Sequence, residues 1–180
     1  MKKRTKIYEY TADKKAQTYL TPHWITNILG PFDLDPCASD PRPWDIAKTC
    51  YTGSHTGGIC GLTHSWKGFV WLNPPFGAGG LEKKFVQKLS EHAGGGIALV
   101  NVKPATKLWS EIILPKASAI LFFSRRISFL DTSGQATTGT FGSQCLIAFG
   151  ITGEKRLKRL IKYGSIVKVT LNMNGEINAD

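Results

Sequence analysis

The chain has 180 residues, of which 42% are hydrophobic and 20% charged, and its formal net charge is +10. That length fits one compact domain with a continuous core. No apolar run reaches the ~20 residues of a membrane helix, and four cysteines are too few for a disulfide scaffold, so reduced thiols are expected.

The start, Met1-Lys2-Lys3-Arg4, leads into polar residues and not into an apolar signal segment, which predicts a cytoplasmic location. Residues 1–20 read as a basic arm, carrying Lys2, Lys3, Arg4, Lys6, Lys14 and Lys15. Thr21-Pro22 reads as a helix start, with Thr21 as N-cap and Pro22 in the first turn. The helix runs from His23 to Leu29 and Gly30-Pro31 ends it. Phe32 to Asp35 reads as a strand stopped by Pro36. Residues 39–65, rich in Pro, Gly, Thr and His, read as loops holding one short element without a defined position. Phe69 to Leu72 is an unbroken apolar run, as in a strand buried on both faces.

Beyond a Gly-rich loop at 77–80, a helix is predicted from Leu81 to His92 and is broken by Gly94-Gly95-Gly96. A second buried strand covers Ile97 to Val102, with Lys103-Pro104-Ala105-Thr106 as its exit loop. A helix around Leu108 to Leu114 closes at Pro115. Ala119 to Ser124 and Cys145 to Gly150 read as strands, Glu154 to Tyr163 as a basic helix, and Ser165 to Leu171 as a last strand. The pattern divides the chain into the arm, a domain over 21–150 and a basic extension of that domain over 151–180. Strands alternating with helices imply an α/β fold, with a mainly parallel sheet and helices on both faces.

Asn73-Pro74-Pro75-Phe76 stands where the buried strand ends, and in open α/β sheets ligands bind at strand carboxyl ends. One reading is a Pro-Pro turn that closes the strand. The other is chemical. An exocyclic adenine amine is a poor nucleophile because its lone pair is delocalised into the ring. A side-chain oxygen and a backbone carbonyl accepting its two N–H bonds draw the nitrogen toward tetrahedral geometry. Asn73 supplies the first acceptor and the Pro74 carbonyl the second, with two rigid prolines fixing its direction. Phe76 offers a flat face on which an extruded base stacks. Methyl transfer is then direct and in line, driven by positioning and electrostatics.

The run Leu34-Asp35-Pro36-Cys37-Ala38-Ser39, followed by Trp71-Leu72-Asn73-Pro74-Pro75-Phe76-Gly77, resembles the amino-group DNA methyltransferases. It is most similar to the short Dam-like N6-adenine methyltransferases encoded by phages and prophages. Further matching pieces are Thr21-Pro22, Gly30-Pro31-Phe32, Ala47-Lys48 with Tyr51-Thr52, Gly61-Leu62 with Trp66, Pro104-Ala105-Thr106 with Trp109, and Arg125-Arg126 before Phe129. The resemblance covers residues 19–150. It implies a Rossmann-like S-adenosylmethionine-dependent fold and adenine-specific methylation of DNA, in the host cytoplasm if a phage encodes the chain. It also implies a cofactor loop at Asp35, Pro36, Cys37 and Ala38, in which Asp35 bonds the cofactor's amino-acid part or holds the loop that does. Thr21 and Pro22 would close over the methionine end, and Asn73 would serve both cofactor and target. The family's Asp-Gly-Leu is replaced by Cys60-Gly61-Leu62, which puts the contact to the cofactor's adenine in doubt; Asp45 is a candidate substitute.

Each assignment has a plainer rival: an Asp-Pro turn for Asp35, a helix cap for Thr21. Arg125 and Arg126 read as phosphate contacts or as a surface ion pair. Lys155, Arg156, Lys158 and Arg159 read as DNA contacts or as a solvated helix face. Cys50, His55, Cys60 and His64 could hold zinc, but they lack a tight Cys-x2-Cys pair, and no metal is expected. His23, His64 and His92 read as surface or core residues, with His92 at a helix end where it meets the dipole. The excess of 23 Lys and Arg over 13 acids suits a polyanionic partner, and a monomer is favoured. RNA adenine or protein glutamine methylation, and non-catalytic nucleic-acid binding, are the alternatives.

Overall fold

The computed structural model describes residues 19–53, 58–75, 80–137 and 142–170. Seven strands pair into one sheet: β1 (Phe32–Asp35), β2 (Ala47–Cys50), β3 (Val70–Leu72), β4 (Gly96–Asn101), β5 (Ala119–Phe123), β6 (Gln144–Phe149) and β7 (Gly164–Lys168). Their order is β2-β1-β3-β4-β6-β5-β7. The half from β2 to β4 is parallel, with Phe32 opposite Ala47, Leu34 opposite Val70 and Leu72 opposite Ala98. The other half is antiparallel, with Asn101 opposite Gln144, Phe122 opposite Cys145 and Ile120 opposite Val167. The expected mainly parallel sheet is therefore a mixed one. The reason lies where the alternation stops: no helix is described between β5 and β6, so the chain returns antiparallel beside the strand it left.

Helices cover both faces, as expected. On one side, α2 (Leu81–Ser90) and a π-helical turn (Trp109–Ile113) pack on Leu34, Val70, Leu72, Ala98 and Val100. The apolar positions Phe85, Val86 and Leu89 of α2 fall on one helical stripe, and all three are buried. The turn continues as α3 (Leu114–Lys116), so Pro115 sits in the first turn of a short helix and does not close the preceding one. On the other side, α1 (His23–Leu29) and α4 (Ile151–Leu157), which tightens to a 3-10 helix over Lys158–Tyr163, cover Phe32, Trp71, Ile97, Leu99 and Leu146. No described helix is long and apolar enough to cross a membrane.

Two boundaries move. Leu20 is buried and bridges Leu130, and Tyr19 packs edge-on against Phe129, so the fold begins at 19 and takes in the last residues assigned to the arm. Residues 1–18 lie outside the described residues. The unplaced element in 39–65 is β2, at the sheet edge, where only Ala47 is buried.

The basic extension departs furthest from expectation. Arg156 Nη1 donates to the carbonyls of Leu29 (3.0 Å) and Pro31, and its guanidinium lies 4.2 Å from the Phe69 ring centroid. Arg159 Nη1 donates to the carbonyls of Ile28 (3.2 Å) and Gly30 (3.1 Å). Lys158 and Lys168 pair with Glu154 at 3.7 and 3.0 Å. The two arginines thus satisfy the carbonyls left open at the C-terminus of α1. They lie at the edge where β1 begins, opposite the edge where Asp35 and Asn73 stand. Both arginines, expected as DNA contacts or as a solvated helix face, are therefore partnered within the fold, where they bolt α4 to α1. Arg156→Ala should cost about 2 kcal/mol by removing charged hydrogen bonds and ring stacking, while Lys155→Ala, which removes the same charge, should stay within about 0.5 kcal/mol. Urea unfolding of the two variants measures the difference, and equal costs would mean that the Arg156 contacts carry no stability.

Candidate functional site

β1 sends the chain to β2 on one side and β3 receives it on the other, so the carboxyl ends of β1 and β3 diverge into a crevice. This is where open α/β sheets take ligands. A shallow pocket opens there, and Thr21, Asp35, Cys37, Arg42, Trp71 and Asn73 are among its lining residues. Most of the lining comes from three short stretches: Leu20-Thr21 before α1, the β1–β2 crossover from 36 to 46, and the end of β3.

Several polar atoms here are buried and unpartnered: Thr21 Oγ1, Trp71 Nε1 and Asn73 Oδ1. Each such group costs about 1–3 kcal/mol when left unpaired, so three converging on one pocket call for a polar partner there, water or ligand. Asn73 Nδ2 donates to the Tyr19 carbonyl at 3.3 Å. That bond fixes the amide so that Oδ1 is the free atom. Pro74 is buried behind it, and its carbonyl accepts no hydrogen bond from a described residue. Phe76 lies outside the described residues.

Thr21 does not cap α1. The N-cap is Pro22, with no side-chain cap bond, and the Thr21 hydroxyl, 1% exposed, faces the pocket instead. Thr21 is therefore a pocket-lining residue and not the helix cap, and Pro22 supplies the buried turn behind it.

Asp35 holds the crossover: its Oδ1 accepts the Cys37 backbone N–H at 3.0 Å. Around it, Tyr51 N–H donates to the Asp35 carbonyl and Ala38 N–H to the Tyr51 carbonyl. These bonds turn Cys37 and Ser39 into the pocket, whereas Pro36 and Ala38 pack away from it. Pro36 is pinned from behind by Gly61, where an added Cβ would stand 2.1 Å from the Pro36 carbonyl oxygen, so only glycine fits. Gly61 is itself held, because its carbonyl accepts Trp66 Nε1 (2.7 Å) and Lys88 Nζ (3.0 Å). Lys88 also donates to the carbonyls of Leu62 (2.9 Å) and His64 (2.5 Å).

Burial pushes the Asp35 carboxyl up to about 7, against the pull of the Cys37 N–H and of Arg42. Burial, with Asp35 and Cys60 nearby, pushes the Cys37 thiol well above its ordinary range. The pocket therefore holds hydrogen-bonding groups and a carboxyl that a cationic ligand would ionise, but no activated thiolate. Cys60 does not line the pocket, and Asp45 is occupied by Arg42 at 2.6 Å.

Sequence reading missed Leu20, Ser39, Arg42, Trp44, Ile46 and Trp71 as lining residues. An aromatic and an arginine within a Pro-rich crossover just after Asp35-Pro36 was the available signal. Arg125 and Arg126 are exposed where β5 exits, at the same edge as the pocket. His92, just beyond the end of α2, donates from Nε2 to the Gly68 carbonyl at 2.8 Å. Among the described residues no three His, Cys, Asp or Glu side chains gather as a metal site; His55 lies outside them. No family model, curated protein or solved structure matches the chain.

The native Asp35 value lies above the ordinary 3.8, so the folded state keeps a proton that the unfolded chain releases. The corresponding stability is full below about pH 4 and is lost as pH rises through about 7. Asp35→Asn cannot ionise but keeps an acceptor for Cys37 N–H. Its Tm relative to wild type should therefore rise across that window; a constant difference would mean that the carboxyl titrates normally.

Proposed function

We propose that this protein transfers a methyl group from S-adenosylmethionine to the N6 amine of adenine in DNA. The observation that carries the proposal is Asn73 Oδ1: buried, unpartnered and held outward by the Asn73–Tyr19 bond at a strand carboxyl end. On this reading the sheet is a Rossmann-like methyltransferase core, which the β2-β1-β3-β4 order and the crevice between β1 and β3 support.

The pocket suits the cofactor. Trp44, Ile46 and Leu20 give it apolar wall, while Thr21 Oγ1, Trp71 Nε1 and the Asp35 carboxyl offer donors and acceptors for hydroxyl, carboxylate and amine groups. When bound, S-adenosylmethionine supplies an electrophilic methyl group on a sulfonium. Asp35 ionises against the positive charge that arrives with it, and also keeps the crossover closed through Cys37 N–H. Asn73 Oδ1 and the Pro74 carbonyl each accept one N–H of the target amine, which localises its lone pair toward the methyl group. No base has to remove a proton first, because the proton leaves after the bond to carbon has formed. Cys37, held as a neutral thiol, does not compete for the methyl group.

A nucleic-acid substrate is supported by the net charge of +10 and by the exposed Arg125 and Arg126 at the pocket edge. RNA adenine and protein glutamine have the same amide-oriented chemistry open to them, so the test runs all three. Tritiated cofactor is incubated with unmethylated DNA, RNA and protein, and the labelled product is identified by nucleoside analysis. N6-methyladenine from DNA is expected. Asn73→Ala should lower the rate by about 10²-fold or more while calorimetric cofactor binding and the circular dichroism spectrum persist. Near wild-type turnover in that variant would remove Asn73 from the mechanism.

A further inference from the structure

Cations on this protein divide by location. Around α4, Arg156 and Arg159 are spent on carbonyls, Lys158 and Lys168 on Glu154, and Lys162 lies 4.9 Å from the Tyr163 ring centroid, which leaves Lys155 as the exposed cation there. At the carboxyl edge, Lys103 and Lys107 follow β4 and Arg125 and Arg126 follow β5, and all four are exposed. None of them makes a hydrogen bond or salt bridge with a described residue. The facing acids are Glu82, within Coulombic reach of Lys103, and Glu111, within reach of Lys107 but ion-paired to Lys83 at 2.5 Å. Asp131, further along, is occupied by the Ser133 hydroxyl and the Ser133 and Gln135 N–H groups. Free positive charge therefore collects along this rim.

The sheet register sets the spacing. Asn101 and Phe122 oppose neighbouring residues of β6, so β4 and β5 exit nearly level. They stand two strand spacings apart, roughly 10 Å. Between them β6 begins at Gln144, which is 6% exposed; its Nε2 donates to Asn101 Oδ1 at 3.0 Å and its Oε1 is unpartnered. Asn73 lies one strand away from β4 and is level with Leu99, so it is recessed below Lys103 by roughly 10 Å. A base swung out of its stack could reach that depth while its backbone stayed on the rim.

We infer that Lys103, Lys107, Arg125 and Arg126 form the track that carries the phosphates of the nucleic-acid strand, with the Asn101–Gln144 amide pair as its polar floor. The inference rests on the proposed function for its substrate class and moves the DNA contact from α4 to the carboxyl rim. All four side chains are exposed, so replacing them with Gln leaves the core intact, which a thermal melt verifies.

The test is salt-titrated anisotropy of a short fluorescein-labelled duplex, with cofactor affinity followed by calorimetry. In the quadruple variant Lys103→Gln/Lys107→Gln/Arg125→Gln/Arg126→Gln, the slope of log K against log salt should flatten by roughly 0.9 for each phosphate that the protein no longer neutralises. Cofactor affinity should hold. Lys155→Gln/Lys158→Gln should keep the wild-type slope. The track is overturned if the rim variant retains the wild-type slope, or if the Lys155/Lys158 variant flattens it equally. It is also overturned if poly-glutamate displaces the duplex as readily as unlabelled duplex does, which would indicate a site for acidic protein. The two proposals fail separately. A rim-dependent slope with no labelled adenine keeps the track and removes the methyl-transfer reading. Labelled adenine with a rim-independent slope does the reverse.

Discussion

The parallel pairing of β1 with β3, Leu34 opposite Val70, is the contact on which the remaining architecture turns. β2 occupies the other side of β1, so the chain must leave β1 in one direction and come back to its neighbour from the other. Those departures leave the ends at Asp35 and Asn73 side by side without a connection bridging them. Three of the buried polar atoms that the described fold leaves unpaired, Thr21 Oγ1, Trp71 Nε1 and Asn73 Oδ1, gather at that gap. The pocket is therefore a consequence of strand order before it is a consequence of any single side chain.

Much of this was legible in the sequence, and the legible parts share a cause. β3, β4, β5 and β6 come from largely apolar runs buried on both faces, a signal that does not depend on neighbours, and β1 from the alternation Phe-Asp-Leu-Asp stopped by Pro36. β2 reads Ala-Lys-Thr-Cys, and as an edge strand it buries only Ala47, so its composition is that of a loop. The antiparallel return of β6 was hidden because direction is set by what joins two strands, and the stretch after Arg126 carries no periodic pattern. Asp35 and Asn73 could be read because their neighbours are prolines at strand ends. Leu20 and Ile46 could not, since they enter the pocket through the path of the chain and not through a motif.

The arginines of α4 show a different limit. Nothing local distinguishes Arg156 or Arg159 from Lys155 beside them, and all read as charge on a helix. Their acceptors lie more than 120 residues earlier, at the open end of α1. A flat guanidinium can stack on Phe69 while its N–H groups reach two carbonyls; an ammonium cannot do both. The choice of Arg over Lys at 156 was the one visible hint. Lys88 solves the converse problem, where three converging carbonyls suit a compact ammonium with three donors.

The bond from Asn73 Nδ2 to the Tyr19 carbonyl spans 54 residues and makes the site depend on both halves of the chain. Asn73 follows β3 in the parallel half, but its amide has a fixed sense only through the Tyr19 carbonyl. Tyr19 is held through Phe129 and through the Leu20–Leu130 bridge, in a segment that follows β5. The acceptor atom that β3 delivers to the pocket is thus aimed by the far half of the chain. The strands through β4 alone would supply the crevice but not the orientation.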